Sequence, residues 1–347
     1  MRQGGIPLKK SVPTWMAMSV VLMIMSGCNE EGDTPEVADD DIPGDSETGE
    51  SNGGDGVSIQ LGSGSTGGDY YTLGQEMANV MNEHVDGLEV SSVATEASVE
   101  NITRVSDQDL ELGMSVHIPA LEAIEGEGPF QGEVFDDFGF MGYIYPETNQ
   151  VAVAADLGVD SIADLEGMRI NTGLPNSSSQ DASETVLEAH GLEEDDYEVY
   201  EEGFGDAASF LQDENVDAIS GLLGLPTGSI MELSMQRDID LLSVEPEALE
   251  EIEEETMYEH IVIEEEDYDF LDDDVDAIGA YAILIGSTED IDEELGYEIV
   301  KELYENADEI THEQGQHMNL EEITTGSDDL PLHPGAERYF EENDMLD

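Results

Sequence analysis

Residues 61–74 read LGSGSTGGDYYTLG, and the fold turns on how they are read. They contain Gly62-Ser63-Gly64-Ser65-Thr66-Gly67, a literal G-x-G-x-x-G. A short apolar run at 57–61 precedes it. Past it, Leu73, Met77, Val80 and Met81 fall on one face of a helix over residues 71–82. Strand, glycine turn and helix together open a layered α/β sheet, whose ligands sit beyond the carboxyl ends of the strands. A dinucleotide site would also need an acidic residue at the end of the second strand, about 20 residues on. Here that strand, 88–93, leads to Thr95-Glu96, so Glu96 comes too late for a good fit. A phosphate loop fails because no Gly-Lys-Ser/Thr follows. What remains is a donor-rich turn: hydroxyls on Ser63, Ser65 and Thr66, backbone N–H groups left open by glycines, and a helix N-terminus. Such a turn suits a small anion such as a carboxylate.

The same unit recurs. Strand-like runs at 110–114, 138–145, 151–155, 168–172, 197–200, 216–220, 239–244 and 277–285 are interleaved with helix-like runs. Those helical runs fall at 98–106, 119–125, 179–190, 205–212, 228–237 and 292–307. Pro146-Glu147-Thr148-Asn149 reads as a turn between two strands. The alternation predicts an α/β chain with largely parallel sheets, on both sides of residue 145. Two lobes joined by extended crossings near 145 and 277 follow, with a cleft between them. Two more strand-to-helix turns carry the same chemistry as the first: Asn171 through Ser179, and Thr95 through Asn101. Tyr70 and Tyr71 are placed either to stack on a ligand or to pack. Arg104 and Arg169 are candidates for a carboxylate, though a neighbouring surface acid is the commoner partner.

The ends of the chain bear on location. Arg2, Lys9 and Lys10 precede an apolar run too short to span a bilayer comfortably, followed by Ser26-Gly27-Cys28. Residues 1–27 read as a lipoprotein signal peptide and Cys28, the single cysteine, as the lipidated residue. Residues 28–56 are acidic and rich in Gly, Ser and Pro, the composition of a tether. The chain carries 86 acidic and 8 basic residues, a formal net charge of −78. Nothing in that composition neutralises phosphates, which argues against nucleic acid as a partner. Self-repulsion at such a charge is relieved by salt screening, so the acidity reads as halophilic adaptation. The seven histidines are scattered, and no metal set, cofactor motif or Ser-His-Asp order is defensible. The expectation is a protein that is not an enzyme.

Several stretches together carry a family likeness. GSGSTGGDYYTLG, TEASVENI, DLEGMRINTGLPNSSSQDASETVLEAHGL, VDAISGLLGLPTGSIMEL and PLHPGAERYFEEN run in order from residue 62 to residue 343. With them the chain resembles the TAXI-type solute receptors of tripartite ATP-independent periplasmic (TRAP) transporters. The resemblance implies a type II periplasmic-binding-protein fold, two α/β lobes with a hinge and an interlobe cleft. Lobe one would be 57–145 plus 277–347, and lobe two 146–276. It also implies a small carboxylate or amino-acid solute, glutamate- or 2-oxoglutarate-like, handed to a membrane permease. By the same resemblance the ligand would meet Ser65, Thr66, Gly68, Tyr70, Tyr71, Thr95, Ser98 and Asn101 from lobe one. From lobe two it would meet Asn176, Ser177, Ser178 and Ser179. The chain departs from the family pattern at Glu96-Ala97, where two glycines are usual, at Asn176 and Ser178, again in place of glycines, and at Val116-His117, near which an Asp is common. These departures point to a less charged or zwitterionic solute. The alternatives are a binding lipoprotein feeding an ABC importer and a ligand-binding sensory module. An oxidoreductase using the glycine turn is a third.

Overall fold

The computed structural model describes residues 56–66, 68–327 and 329–346. The signal peptide, Cys28 and nearly all of the tether lie outside the described residues. The first part of the chain alternates as expected: β1 (Val57–Gly62), α1 (Asp69–His84), β2 (Leu88–Val93), α2 (Ser98–Ser106), β3 (Leu112–Val116) and α3 (His117–Glu125). A long strand follows, β4 (Phe138–Ala154). Then come β5 (Arg169–Asn171), α4 (Ser178–Ala189), β6 (Glu198–Tyr200), α5 (Phe204–Gln212), β7 (Ala218–Leu223), α6 (Gly228–Gln236) and β8 (Ile239–Leu241). The chain closes with α7 (Pro246–Glu255), β9 (Glu259–Ile263), β10 (Val275–Ser287), α8 (Glu293–Glu305) and α9 (Pro334–Glu342).

The ten strands of the described residues join one sheet in the order β2-β1-β3-β10-β4-β7-β5-β6, with β8 on β4 and β9 on β10. β1 pairs with β2 and β3 in parallel, and β5 with β6 and β7 in parallel. Antiparallel β10 and β4 lie between these two parallel blocks. This is a mixed α/β architecture, alternating as the sequence predicts but with two antiparallel strands at its centre. Apolar packing follows the same division. Leu61, Met77, Ile102, Phe140, Leu284, Ile299 and Phe340 belong to a core drawn from residues 59–145 and 282–340. Two further cores, around Ile170, Val186 and Ile278 and around Leu211, Ile219 and Ile263, use residues 116–280.

One expected turn is absent. Residues 146–149 do not break a strand; β4 runs through them without interruption. Pro146 stands opposite Tyr281 of β10, and β7 begins to pair with β4 only at Thr148. At Pro146 the strand therefore has a strand neighbour on one side only, which is where a residue without an N–H is tolerated. Three elements escape the sequence reading: α7, β9 and α9. In α7 the buried stripe is only Ala248, Leu249 and Ile252 within a run of glutamates, too thin a periodicity to stand out.

Candidate functional site

The strand ends at the first glycine turn are tied together by polar side chains. Ser63 Oγ donates to Val93 O at 2.8 Å, and Thr95 Oγ1 donates to Ser63 O at 3.1 Å. Asn101 is fully buried, and its Nδ2 approaches three carbonyls: Gly62 (3.2 Å), Ser63 (2.8 Å) and Met114 (2.8 Å). Thr95 and Asn101, expected to touch a ligand, thus fasten β1, β2 and β3 to one another. The glycines serve packing as well. A Cβ on Gly62 would run into the Asn101 side chain, and one on Gly64 would come to 2.9 Å from Tyr70 Cβ. The literal G-x-G is required by close approach of side chains, not by a phosphate.

Beyond these strand ends lies a cavity of about 90 Å³, room for a small molecule of a few heavy atoms. Four helices begin at its wall. Gly68, Asp69 and Tyr70 line it from α1, Ala97 and Ser98 from α2, Ser177, Ser178 and Ser179 from α4, and Gly203 and Phe204 from α5. The first N–H groups of a helix have no partner within it, so these walls are rich in donors. Of the expected residues, Ser65, Gly68, Tyr70, Ser98, Ser177, Ser178 and Ser179 line the cavity. Thr66, Tyr71, Thr95, Asn101 and Asn176 do not. Asn176 is exposed beside a neighbouring hollow that also holds Glu122 and Asp181. A larger depression of about 550 Å³ lies on the outer side of Asp69 and shares only Gly68 with the expected set.

The serine hydroxyls are largely engaged within the protein. Ser178 Oγ donates to Ser98 Oγ at 2.9 Å, and Ser98 Oγ accepts the Val116 N–H at 3.0 Å. Ser177 Oγ caps α4 by accepting from Gln180 N at 3.2 Å, and Ser179 Oγ accepts from Leu222 N at 3.1 Å. Two of the residues that stand where the resemblance would have glycines have positive φ. Asn176 has φ of 61°, a left-handed geometry that Asn tolerates in place of glycine. Ala97 has φ of 72° and ψ of −138°, a region that glycine occupies far more readily.

The charged groups on the wall are Asp69, Glu96 and Glu147; among the described residues no Lys, Arg or His lines it. Asp69 accepts from Gly224 N at 3.0 Å and from Thr227 Oγ1 at 3.2 Å, with His312 Nε2 3.7 Å away. Burial raises its pKa, and those three partners oppose the rise. Glu147 is 4% exposed and its Oε1 accepts from the Tyr145 hydroxyl at 2.9 Å. Burial pushes its pKa up to about 8; Tyr145 and Tyr70 pull it down, and the Asp69 charge adds to the rise. The Tyr70 hydroxyl lies beside the same carboxyl without a well-formed hydrogen bond among the described residues. The rings of Tyr70 and Tyr145 meet edge to face, centroids 6.1 Å apart.

Arg104 pairs with Glu100 one helical turn earlier. Arg169 forms a two-pronged pair with Asp217, at 2.9 and 2.6 Å. Neither arginine reaches the cavity. At the surface, Glu83, His84 and Glu309 hold three ligand-type atoms within 4.8 Å of one another, a grouping that sequence spacing does not show. The wall residues that sequence reasoning missed are chiefly Asp69, Tyr145, Glu147, Phe204 and Ser220. Glu147 sits in a stretch that reads as a turn, and one acid among 86 carries no signal of burial.

The sequence profile of the NMT1-like family matches residues 61–343. Among solved structures, the alkanesulfonate-binding protein SsuA from Xanthomonas axonopodis pv. citri is similar at 16% identity, TM-score 0.49, over 82% of this chain and 83% of that one. PhnD1 from Prochlorococcus marinus, solved with methylphosphonate, is similar at 12% identity, TM-score 0.48, over 83% and 99%. A ligand-binding component of an ABC-type import system from Staphylococcus aureus gives 9% identity, TM-score 0.48, over 83% and 92%.

Proposed function

The chain belongs to the NMT1-like family, and on that footing we propose that it is the solute-binding subunit of a membrane importer, acting outside the cytoplasmic membrane. The observation that carries this reading is the cavity, walled by residues 64–147 and 171–223 and rimmed by the N-termini of α1, α2, α4 and α5. Lobe one would be 57–145 with 277–347 and lobe two 146–276, flexing about β4 and β10 to admit and enclose the solute. The role is binding without catalysis: Ser98, Ser177, Ser178 and Ser179 are engaged by neighbours, and no histidine is among the described residues that line the cavity. Cys28 would carry the lipid anchor that keeps the protein at the membrane.

For the partner, an ABC importer is the better reading than a TAXI-type TRAP permease. The TRAP assignment rests on the quoted motifs alone, and this chain breaks them at Glu96-Ala97, Asn176, Ser178 and Val116-His117. Isolation of the membrane partner tells the two apart, since only one of them brings an ATPase. For the solute, the amino-acid end of the expected class fits better than a dicarboxylate. Asp69 and Glu96 bring carboxyl groups to the wall and no basic side chain is among its described lining residues, so a doubly anionic molecule would find repulsion there.

Thermal unfolding of the full chain in molar salt tests the reading, with dicarboxylates, 2-oxo acids, amino acids, sugars and nicotinamide nucleotides as additives. A ligand of the native state at 100 times its Kd adds about 2.7 kcal/mol of stability and raises the melting temperature. A rise with a small polar solute supports the receptor. A rise with a nucleotide alone would restore the dinucleotide reading of the glycine turn.

A further inference from the structure

Glu147 is the group in this cavity whose presence asks for a reason. A carboxyl removed from water is costly unless a partner offsets the loss. The titratable groups that face it are the Tyr145 hydroxyl on its own strand, the Tyr70 hydroxyl and the Asp69 carboxyl on α1, and Tyr258, which precedes β9. Tyr258 is itself bound to Asp181. None of these groups is basic. The buried Tyr70 hydroxyl has no well-formed partner in the cavity wall, and three aromatic rings, Tyr70, Tyr145 and Phe204, line the same space. A carboxyl among aromatic rings, with no cation of its own, is the complement of a small organic cation.

We propose that Glu147 is the counter-charge for a protonated amine on the solute, so that the cavity selects small ammonium-bearing molecules. This rests on the solute-binding reading above and specifies its ligand. Burial pushes the pKa of this carboxyl up to about 8, so before a solute binds it is largely protonated at neutral pH. When the ammonium enters, the carboxyl O–H gives its proton to solvent, and the ammonium N–H donates to the resulting carboxylate. Binding near pH 7 therefore releases up to one proton. The amine could belong to a simple amine or to an amino acid, and matched probes separate these sources.

The test is titration calorimetry on the full chain in molar salt at pH 7, in two buffers of different ionisation heat. The probes are glutamate against 2-oxoglutarate and glutarate, alanine against propionate, and ethylamine. The expected result is that an amine-bearing probe binds about 100-fold more tightly than its deaminated match, the scale of one hydrogen-bonded charge, with proton release. Glu147→Gln should then remove both the preference and the proton release. If that variant fails to fold, the proton count on the unaltered chain still decides. Equal binding of the deaminated probes, or amine binding without proton release, would overturn the role of Glu147 and leave the receptor standing. No binding of any probe, here or in the thermal screen, would overturn both.

Discussion

Ser178 Oγ donates to Ser98 Oγ over 2.9 Å, joining the first turn of α4 to the first turn of α2. The two helices pack into different cores, α2 through Ile102 and Val105 and α4 through Ala182 and Val186. Ser98 also accepts the Val116 N–H, so the two serines are not equivalent. Ser178→Ala removes one donor and leaves Ser98 with another partner. Ser98→Ala leaves the buried Val116 N–H without its acceptor. We expect Ser98→Ala to cost about 1–3 kcal/mol and Ser178→Ala about 1 kcal/mol or less. Denaturant unfolding in molar salt reads both; equal costs would mean that Val116 finds another acceptor.

Asp69 holds a second tie, from the start of α1 to residues 224 and 227. Its carboxylate takes the Gly224 N–H and the Thr227 hydroxyl, and His312 stands near. Asp69→Ala should destabilise by about 1–3 kcal/mol by leaving both donors unpaired. Thr227→Val should cost less, and the double variant should fall short of the sum, because the two residues share one interaction. Strict additivity in a double-mutant cycle would show that the Asp69–Thr227 hydrogen bond contributes nothing.

Ala97 occupies a left-handed backbone position at the wall of the cavity, just before α2. A side chain there costs on the order of 1–3 kcal/mol, and glycine relieves it. Ala97→Gly is expected to stabilise the protein by about 1 kcal/mol, the gain being reduced by the greater freedom of glycine in the unfolded chain. A fall in melting temperature for this variant would show that the strain is absent or that the methyl group packs favourably.

How much of this was legible in the sequence depends on which force leaves a local trace. Periodicity found α1, because Leu73, Met77, Val80 and Met81 recur at helical spacing. It found the parallel strands, because they are short apolar runs between turns. Turn chemistry misled at Pro146, where strand pairing on one side overrode the local preference of Pro and Asn. The donor-rich turns pointed to the cavity, and seven of the twelve expected residues line it. The differences between the expected set and the lining residues share a cause. Thr95 and Asn101 carry the polar chemistry of a binding site but spend it on neighbouring strand ends. Glu147 and Tyr145 reach the wall only because β4 runs straight through residue 146, which depends on long-range pairing with β10.

The decline of stability between pH 4.5 and 8 should be set in part by Glu147. In the unfolded chain its carboxyl has a pKa near 4.5, and in the folded protein near 8. The folded state binds the proton more tightly, so stability is full below 4.5 and falls as pH rises between the two values, then levels off above 8. The slope from one such group is at most about 1.4 kcal/mol per pH unit. His117 acts in the opposite sense. Burial holds its pKa down at about 4 against 6.5 when unfolded, so its contribution is full above 6.5 and is lost as pH falls towards 4. Glu147→Gln should therefore flatten the decline between pH 4.5 and 8 while leaving the loss at low pH in place. Melting temperatures across that range in molar salt, for the two proteins side by side, check it. Parallel curves would mean that the carboxyl ionises as readily in the folded protein as in the unfolded chain.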